Sequence, residues 1–206
     1  MSNNMLSKLT LAVFFFTSAI HAFSQVVPAA EESGHLTLDA GAGLSYYYMD
    51  YGPGHELGGT LWVDATPHIG PHFLQGLGAE LEARDLSLDP EKPLSSRFRT
   101  DTAGGGPIYT VQHFRNFKPF VKFIVSYGSI DYSYRSRLTP NVKYGHLTWG
   151  LNAPGGGLDY RVHNNFWVRA DYEYQSWINL FDNHKDLNPD GFTFGAVYEL
   201  NLRHSR

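Results

Sequence analysis

Residues 166–177 read FWVRADYEYQSW. Taking every second residue puts Phe166, Val168, Ala170, Tyr172 and Tyr174 on one side and Trp167, Arg169, Asp171, Glu173 and Gln175 on the other. A strand sends successive side chains to opposite faces, so the stretch predicts a strand with one apolar face and one face bearing three charges in a row. A soluble sandwich would turn the charged face to bulk water. A membrane wall would turn it inward and set the apolar face against lipid. The rest of the chain decides between the two.

The chain has 206 residues, a length that suits one domain, and a net charge of −4 that gives no basis for a nucleic-acid partner. Its 13 Tyr, 14 Phe and 21 Gly favour an all-β chain. With no Cys there is no disulfide framework, thiolate metal site or Cys nucleophile. The start has the three regions of an export signal in order. Residues 1–8 carry one positive charge, residues 9–20 (LTLAVFFFTSAI) are apolar but short for a bilayer span, and Ala22-Phe23-Ser24 offers small residues for cleavage. The expectation is a signal peptide over residues 1–24 and one barrel domain over 25–206.

Alternation runs through the mature chain. Residues 35–48 set Leu36, Leu38, Ala40, Ala42, Leu44, Tyr46 and Tyr48 against Thr37, Asp39, Gly41, Gly43, Ser45 and Tyr47. That is the length of a tilted membrane strand, about twice an ordinary soluble one. Further strands are expected over 57–65, 73–84, 97–111, 120–128, 146–162, 166–177 and 192–202. The pattern is weak in the fourth, where Gly104-Gly105-Gly106-Pro107 suggests a bulge or a close backbone approach. In the sixth, parity is expected to change near Pro154-Gly155-Gly156-Gly157. Connections alternate between short and long, the long ones including 85–96, 131–145 and 178–190.

Eight strands, alternating connections and aromatics at the strand ends match the short turns, long loops and twin girdles of a membrane barrel. The girdle is expected to include Tyr46, Tyr48, Tyr127, Tyr174 and Trp177 at the long-loop side, with Tyr160, Phe166 and Tyr198 at the turn side. Trp149, Phe120, Phe73, Tyr109 and Tyr51 are grouped with them. A lipocalin-like barrel would reverse the polarity, with an apolar interior. The fold class read here is therefore all-β, an eight-stranded antiparallel up-and-down transmembrane β-barrel.

The chain resembles the small eight-stranded outer-membrane β-barrel proteins, the group that includes the OmpA transmembrane domain, OmpX and the opacity-type adhesins. The matching pieces are PFVKFIVSYG (119–128), GGGLDYRV (155–162), VRADYEYQSW (168–177) and FTFGAVYEL (192–200). The resemblance implies a place in the outer membrane, contact with its lipid and lipopolysaccharide, and delivery by the barrel-insertion machinery. Two departures stand out. The family's terminal Tyr-x-Phe signal has Leu200 in the Phe place, with six residues following, and the wall anchoring that a periplasmic domain gives the full OmpA-like architecture is not expected here.

The candidate chemistry lies in a charge network expected to fill the lumen: Glu80, Glu82 and Arg84 with Arg169, Asp171 and Glu173, joined by Lys122, Arg99 and Asp101. These groups either pair and plug a barrel whose interior is only wide enough for side chains, or line a narrow ion path. No nucleophile motif surrounds Ser126, Ser133, Ser176, His146 or His184, so no enzyme activity and no catalytic residue is expected. His55, His68, His72, His146 and His184 lack metal-ligand spacing, so neither metal nor cofactor is expected. A surface ligand at residues 131–145 and 178–190, sugar or protein, is the remaining expectation.

Overall fold

A computed structural model describes residues 36–50, 54–68, 71, 74–88, 96–134, 142–181 and 185–202. The expected signal peptide lies outside them. The long alternating stretches form β1 (Leu36–Tyr48), β2 (His55–Pro67), β3 (Leu77–Leu88), β4 (Ser96–Thr110), β5 (Phe117–Tyr134), β6 (Val142–His163), β7 (Phe166–Tyr174) and β10 (Asp190–Leu202). Two short strands, β8 (Trp177–Phe181) and β9 (Lys185–Leu187), pair as a hairpin between β7 and β10. The eight long strands close into one antiparallel barrel in the order β1-β10-β7-β6-β5-β4-β3-β2.

Closure follows from register. The ladder from Leu44 runs through Gly59, Asp85 and Asp101 to Ser129 on β5, and the other way through Phe194, Ala170 and Leu158 to Pro119. The two arrivals are ten residues apart on one strand. With eight strands that stagger tilts the strands by about 40° and leaves an interior that side chains can fill.

The outer wall is apolar: Leu44, Leu61, Val121 and Phe194 are each more than 60% exposed, and Leu81, Val162, Tyr160 and Phe192 more than half. A water-soluble chain does not carry a contiguous apolar surface of this extent. Inside, residues at the alternate positions are buried, and large ones rest on glycine. A Cβ at Gly41 would collide with the Trp62 ring, and one at Gly128 with the Trp177 ring. The glycine run of β4 is likewise a close approach. Its register with β3 is unbroken, while Gly104 and Gly106 face backbone of β5 where a Cβ would not fit.

Several boundaries differ from the sequence reading. The parity change of β6 falls at Gly150, not at 154–157: the register with β5 jumps from Ser126↔Leu151 to Tyr127↔Trp149, leaving Gly150 as the extra residue. The seventh strand ends at Tyr174 rather than 177. The third strand starts at Leu77 and continues to Leu88, because residues 74–76 form a turn whose Leu77 N–H bonds the Leu74 carbonyl at 3.0 Å. β5 and β6 run on through Tyr134 and from Val142, so much of the expected 131–145 loop is paired strand.

Val168 lies on the outer wall, 41% exposed. Replacing it with Arg is expected to cost about 2–4 kcal/mol of folding stability in a bilayer if it sits near the midplane. Denaturant titration of the barrel refolded into vesicles measures this, and a variant as stable as the parent would place the lipid on the wrong face.

Candidate functional site: the filled lumen and its two mouths

The centre of the lumen is built on three cations, each from a different strand. Lys122 on β5 places its ammonium 2.9 Å from Glu80, 2.7 Å from Glu82, 2.6 Å from Asp171 and 3.2 Å from Glu173. Arg169 on β7 reaches Asp64 at 2.7 Å, Glu80 at 3.1 Å and Asp159 at 2.7 Å. Its guanidinium lies 4.4 Å from the centre of the Phe120 ring and 5.1 Å from that of Trp62. Arg84 on β3 pairs with Glu82 and Glu173, each at 2.7 Å, donates to the Thr60 hydroxyl at 3.0 Å and rests 4.4 Å over the Tyr47 ring. All these ions are buried. Their attraction offsets the large cost of leaving water only because each cation has several acceptors held by rigid strands.

Glu173 ties the network to the loop-side end. Its Oε1 accepts from Arg84, from the Tyr47 hydroxyl at 3.2 Å and from the Gln175 amide at 3.0 Å, and Gln175 in turn accepts from the Trp177 indole N–H at 3.0 Å. Above this the interior carries two apolar clusters beside the buried Glu56. Trp177 and Leu187 of the β8–β9 hairpin are buried against Ile124, Ile130, Leu151 and Ala153, and Tyr47, Met49 and Leu86 form a second cluster. The loop-side mouth thus carries an apolar cap drawn from the connection between β7 and β10. At the turn-side end Trp62, Trp167 and Val197 make a third cluster, and below it opens a polar vestibule of about 380 Å³.

Of the nine residues expected in the lumen network, the structure brings together Glu80, Glu82, Arg84, Lys122, Arg169, Asp171 and Glu173. Arg99 and Asp101 are corrections. Arg99 is on the outer wall, half exposed, bonded to Asp85 at 2.7 Å and Asp101 at 3.1 Å. Cross-strand partners share a face, and Asp101 is opposite Asp85 while inward Arg84 is opposite Thr102. On β4 the small Thr100 and Thr102 are therefore the inward residues, and the charges emerge toward the loop-side end of the wall. Asp64 and Asp159 complete the network. The signal for both was their position on the polar side of alternating strands.

Of the expected girdle, Tyr46, Tyr48, Tyr160, Phe166, Tyr174 and Tyr198 are exposed on the outer wall and Tyr127 is half-buried there. Trp177 is a correction. It is fully buried inside the loop-side mouth, on the inward parity it shares with Arg169, Asp171 and Glu173, where the chain leaves β7 and enters the β8–β9 hairpin. Phe120 also points inward, beneath Arg169. Residues 178–190, expected as an open loop, contain most of the β8–β9 hairpin.

Glu82, Asp171 and Glu173 bring carboxylate oxygens within 4.8 Å of one another, the spacing of a metal site, but the Lys122 ammonium holds the place a metal ion would take. Ser126 is buried inside the barrel, and His55 stacks on Tyr46 with ring centres 5.0 Å apart.

A closed, lipid-walled barrel with an ionic interior defines a class, the integral outer-membrane β-barrels. The family model of the outer membrane protein beta-barrel domain matches residues 11–199, and the chain belongs to that family. It resides in the outer membrane, with the short turns at the periplasmic side. Among solved structures it is similar to a major outer membrane protein from Thermus thermophilus (14% identity, 80% of this chain and 99% of that one, TM-score 0.57). It is also similar to Neisserial surface protein A (15%, 79% and 96%, 0.52) and to Ail, the attachment invasion locus protein of Yersinia pestis (17%, 82% and 100%, 0.51). At these identities the likeness is one of fold. No curated protein matches the chain.

Replacing Lys122 with Met leaves four buried carboxylates without their shared cation and is expected to destabilise the barrel by about 3–5 kcal/mol. Arg99→Gln on the exposed wall is expected to cost no more than about 1 kcal/mol. The temperature of the heat-dependent gel shift compares the two, and equal losses would contradict the assignment of inside and outside.

Proposed function

We propose that the protein is a closed, non-enzymatic barrel that serves the envelope structurally and presents its loops for surface contact, adhesion-like in character. The observation that carries this reading is the filled interior. A three-cation network spans β2, β3, β5, β6 and β7, and Trp177 and Leu187 of the hairpin are buried at the loop-side mouth. The network holds six carboxylates, Asp64, Glu80, Glu82, Asp159, Asp171 and Glu173, around its three cations, so an anion would meet net repulsion as well as a steric block.

The partners that fit this reading are the outer-membrane lipid around the apolar wall and lipopolysaccharide at its upper edge, where Asp85, Arg99 and Asp101 face outward. The barrel-insertion machinery is the partner during assembly. A sugar or protein ligand would engage the surface offered by residues 131–145 and the exposed part of 178–190.

The competing function is a narrow pore. In planar bilayers the wild-type barrel is expected to show no stepwise conductance above leak, and regular steps would overturn the closed reading in favour of the pore. Lipid A from cells with and without the protein is expected to have the same mass profile, and a modified species would make the barrel an enzyme.

A further inference from the structure

The turn-side vestibule stands apart from the sealed lumen above it. Its wall carries Lys118 on β5, Arg161 on β6 and Arg115 in the turn between β4 and β5, together with the hydroxyl-bearing Thr37, Thr66 and Thr110. Lys118 is already used: its ammonium sits 2.6 Å from Glu199 and 4.1 Å over the Trp167 ring. Arg161 packs its guanidinium against the same ring at 4.5 Å. Among the described residues no carboxylate lies within ion-pair distance of Arg161 or Arg115. Asp39 is the other acid of the lining, so three cations face two carboxylates.

Hydrogen-bonding capacity is also in surplus here. The Arg161 Nε and the Trp167 indole N–H are both buried without a partner among the described residues, and Trp167 is only 1% exposed. Asp39, on the same wall, has a buried Oδ1 that is also unmet, so two donors stand against one acceptor, and since buried polar groups in native proteins are nearly always bonded the excess donor calls for an acceptor. A guanidinium fixed by stacking on an indole keeps its N–H edges available, and that edge matches an oxyanion in a two-point geometry an ammonium cannot offer.

We propose that this vestibule binds a small oxyanion group, phosphate or carboxylate, gripped by Arg161 and Arg115 with help from the surrounding hydroxyls. The site faces the periplasm, independent of whatever the loops contact. Its volume admits a small anion or the anionic end of a larger molecule, and the tryptophan cluster above prevents passage further up the barrel.

The test is calorimetric titration of the folded barrel, in an uncharged detergent at constant ionic strength, with inorganic pyrophosphate and separately with succinate. Saturable one-site binding of at least one is expected. Pyrophosphate alone would assign a phosphorylated ligand, succinate alone a carboxylate, and both a site that reads only the oxyanion. Arg161→Gln is expected to weaken binding about tenfold or more, and Arg161→Lys to recover only part, because it restores charge without the two-point geometry. Arg99→Gln, on the outer wall, should bind as the parent does. The gel shift verifies that each variant is folded. If Arg161→Gln does not fold, Arg115→Gln in the exposed turn is expected to show the same weakening. Absence of saturable binding with both anions, or parental affinity in the folded arginine variants, would overturn the site.

Discussion

Lipid supplies no hydrogen-bond partner to a peptide group, so every strand of the wall must be paired on both sides. The pairing of β1 with β10 from Leu36↔Leu202 to Tyr48↔Asp190 completes that ladder, and the rest of the structure depends on it. Once eight strands close with their observed stagger, the interior is too narrow for anything but side chains. Strand alternation then commits half the wall residues to that interior, whatever their polarity. The inward charges of β3, β5 and β7 cannot reach lipid and are buried from bulk water, so they satisfy one another.

They do so around few centres. Lys122 and Arg169 share Glu80, Lys122 and Arg84 share Glu82 and Glu173, and the shared acids join strands on different sides of the barrel. The network is a set of cross-braces between strands. Tyr47, Gln175 and Trp177 extend it to the loop-side mouth through hydrogen bonds to Glu173 and Gln175. There two apolar clusters pack beside the buried Glu56, and Trp177 and Leu187 of the β8–β9 hairpin join one of them. Among the described residues the two ends differ in kind: hydrophobic groups pack inside one, and the other opens onto a polar cup.

The outer surface has its own boundary. Apolar residues cover it up to the level where Asp85, Arg99 and Asp101 emerge as an exposed ion cluster. An outward ion pair is tolerable only where the wall leaves hydrocarbon, so this cluster marks the upper edge of the apolar belt. Above it β5 and β6 stay paired as far as Tyr134 and Val142.

The sequence by itself determined the class of fold and the identity of most lumen ions. Alternation is local, with a period of two residues, and residues 166–174 declare both faces without help from any neighbour. For the same reason Glu80, Glu82, Arg84, Lys122, Arg169, Asp171 and Glu173 were legible as one inward set. Only the tertiary structure decided the parity of β4, because Arg99, Thr100, Asp101 and Thr102 are all polar and alternation among them is silent. Their faces were fixed by the pairing of Asp101 with Asp85. Trp177 shares the parity of Arg169, Asp171 and Glu173, so its inward side was legible as well; the tertiary structure decided that the backbone leaves β7 there to cross the mouth, and it decided the bulge at Gly150, which the neighbouring glycine run hid. Cross-strand register and chain reversal are long-range quantities. They depend on which residues meet across the closed barrel, and a pattern read along one strand does not contain them.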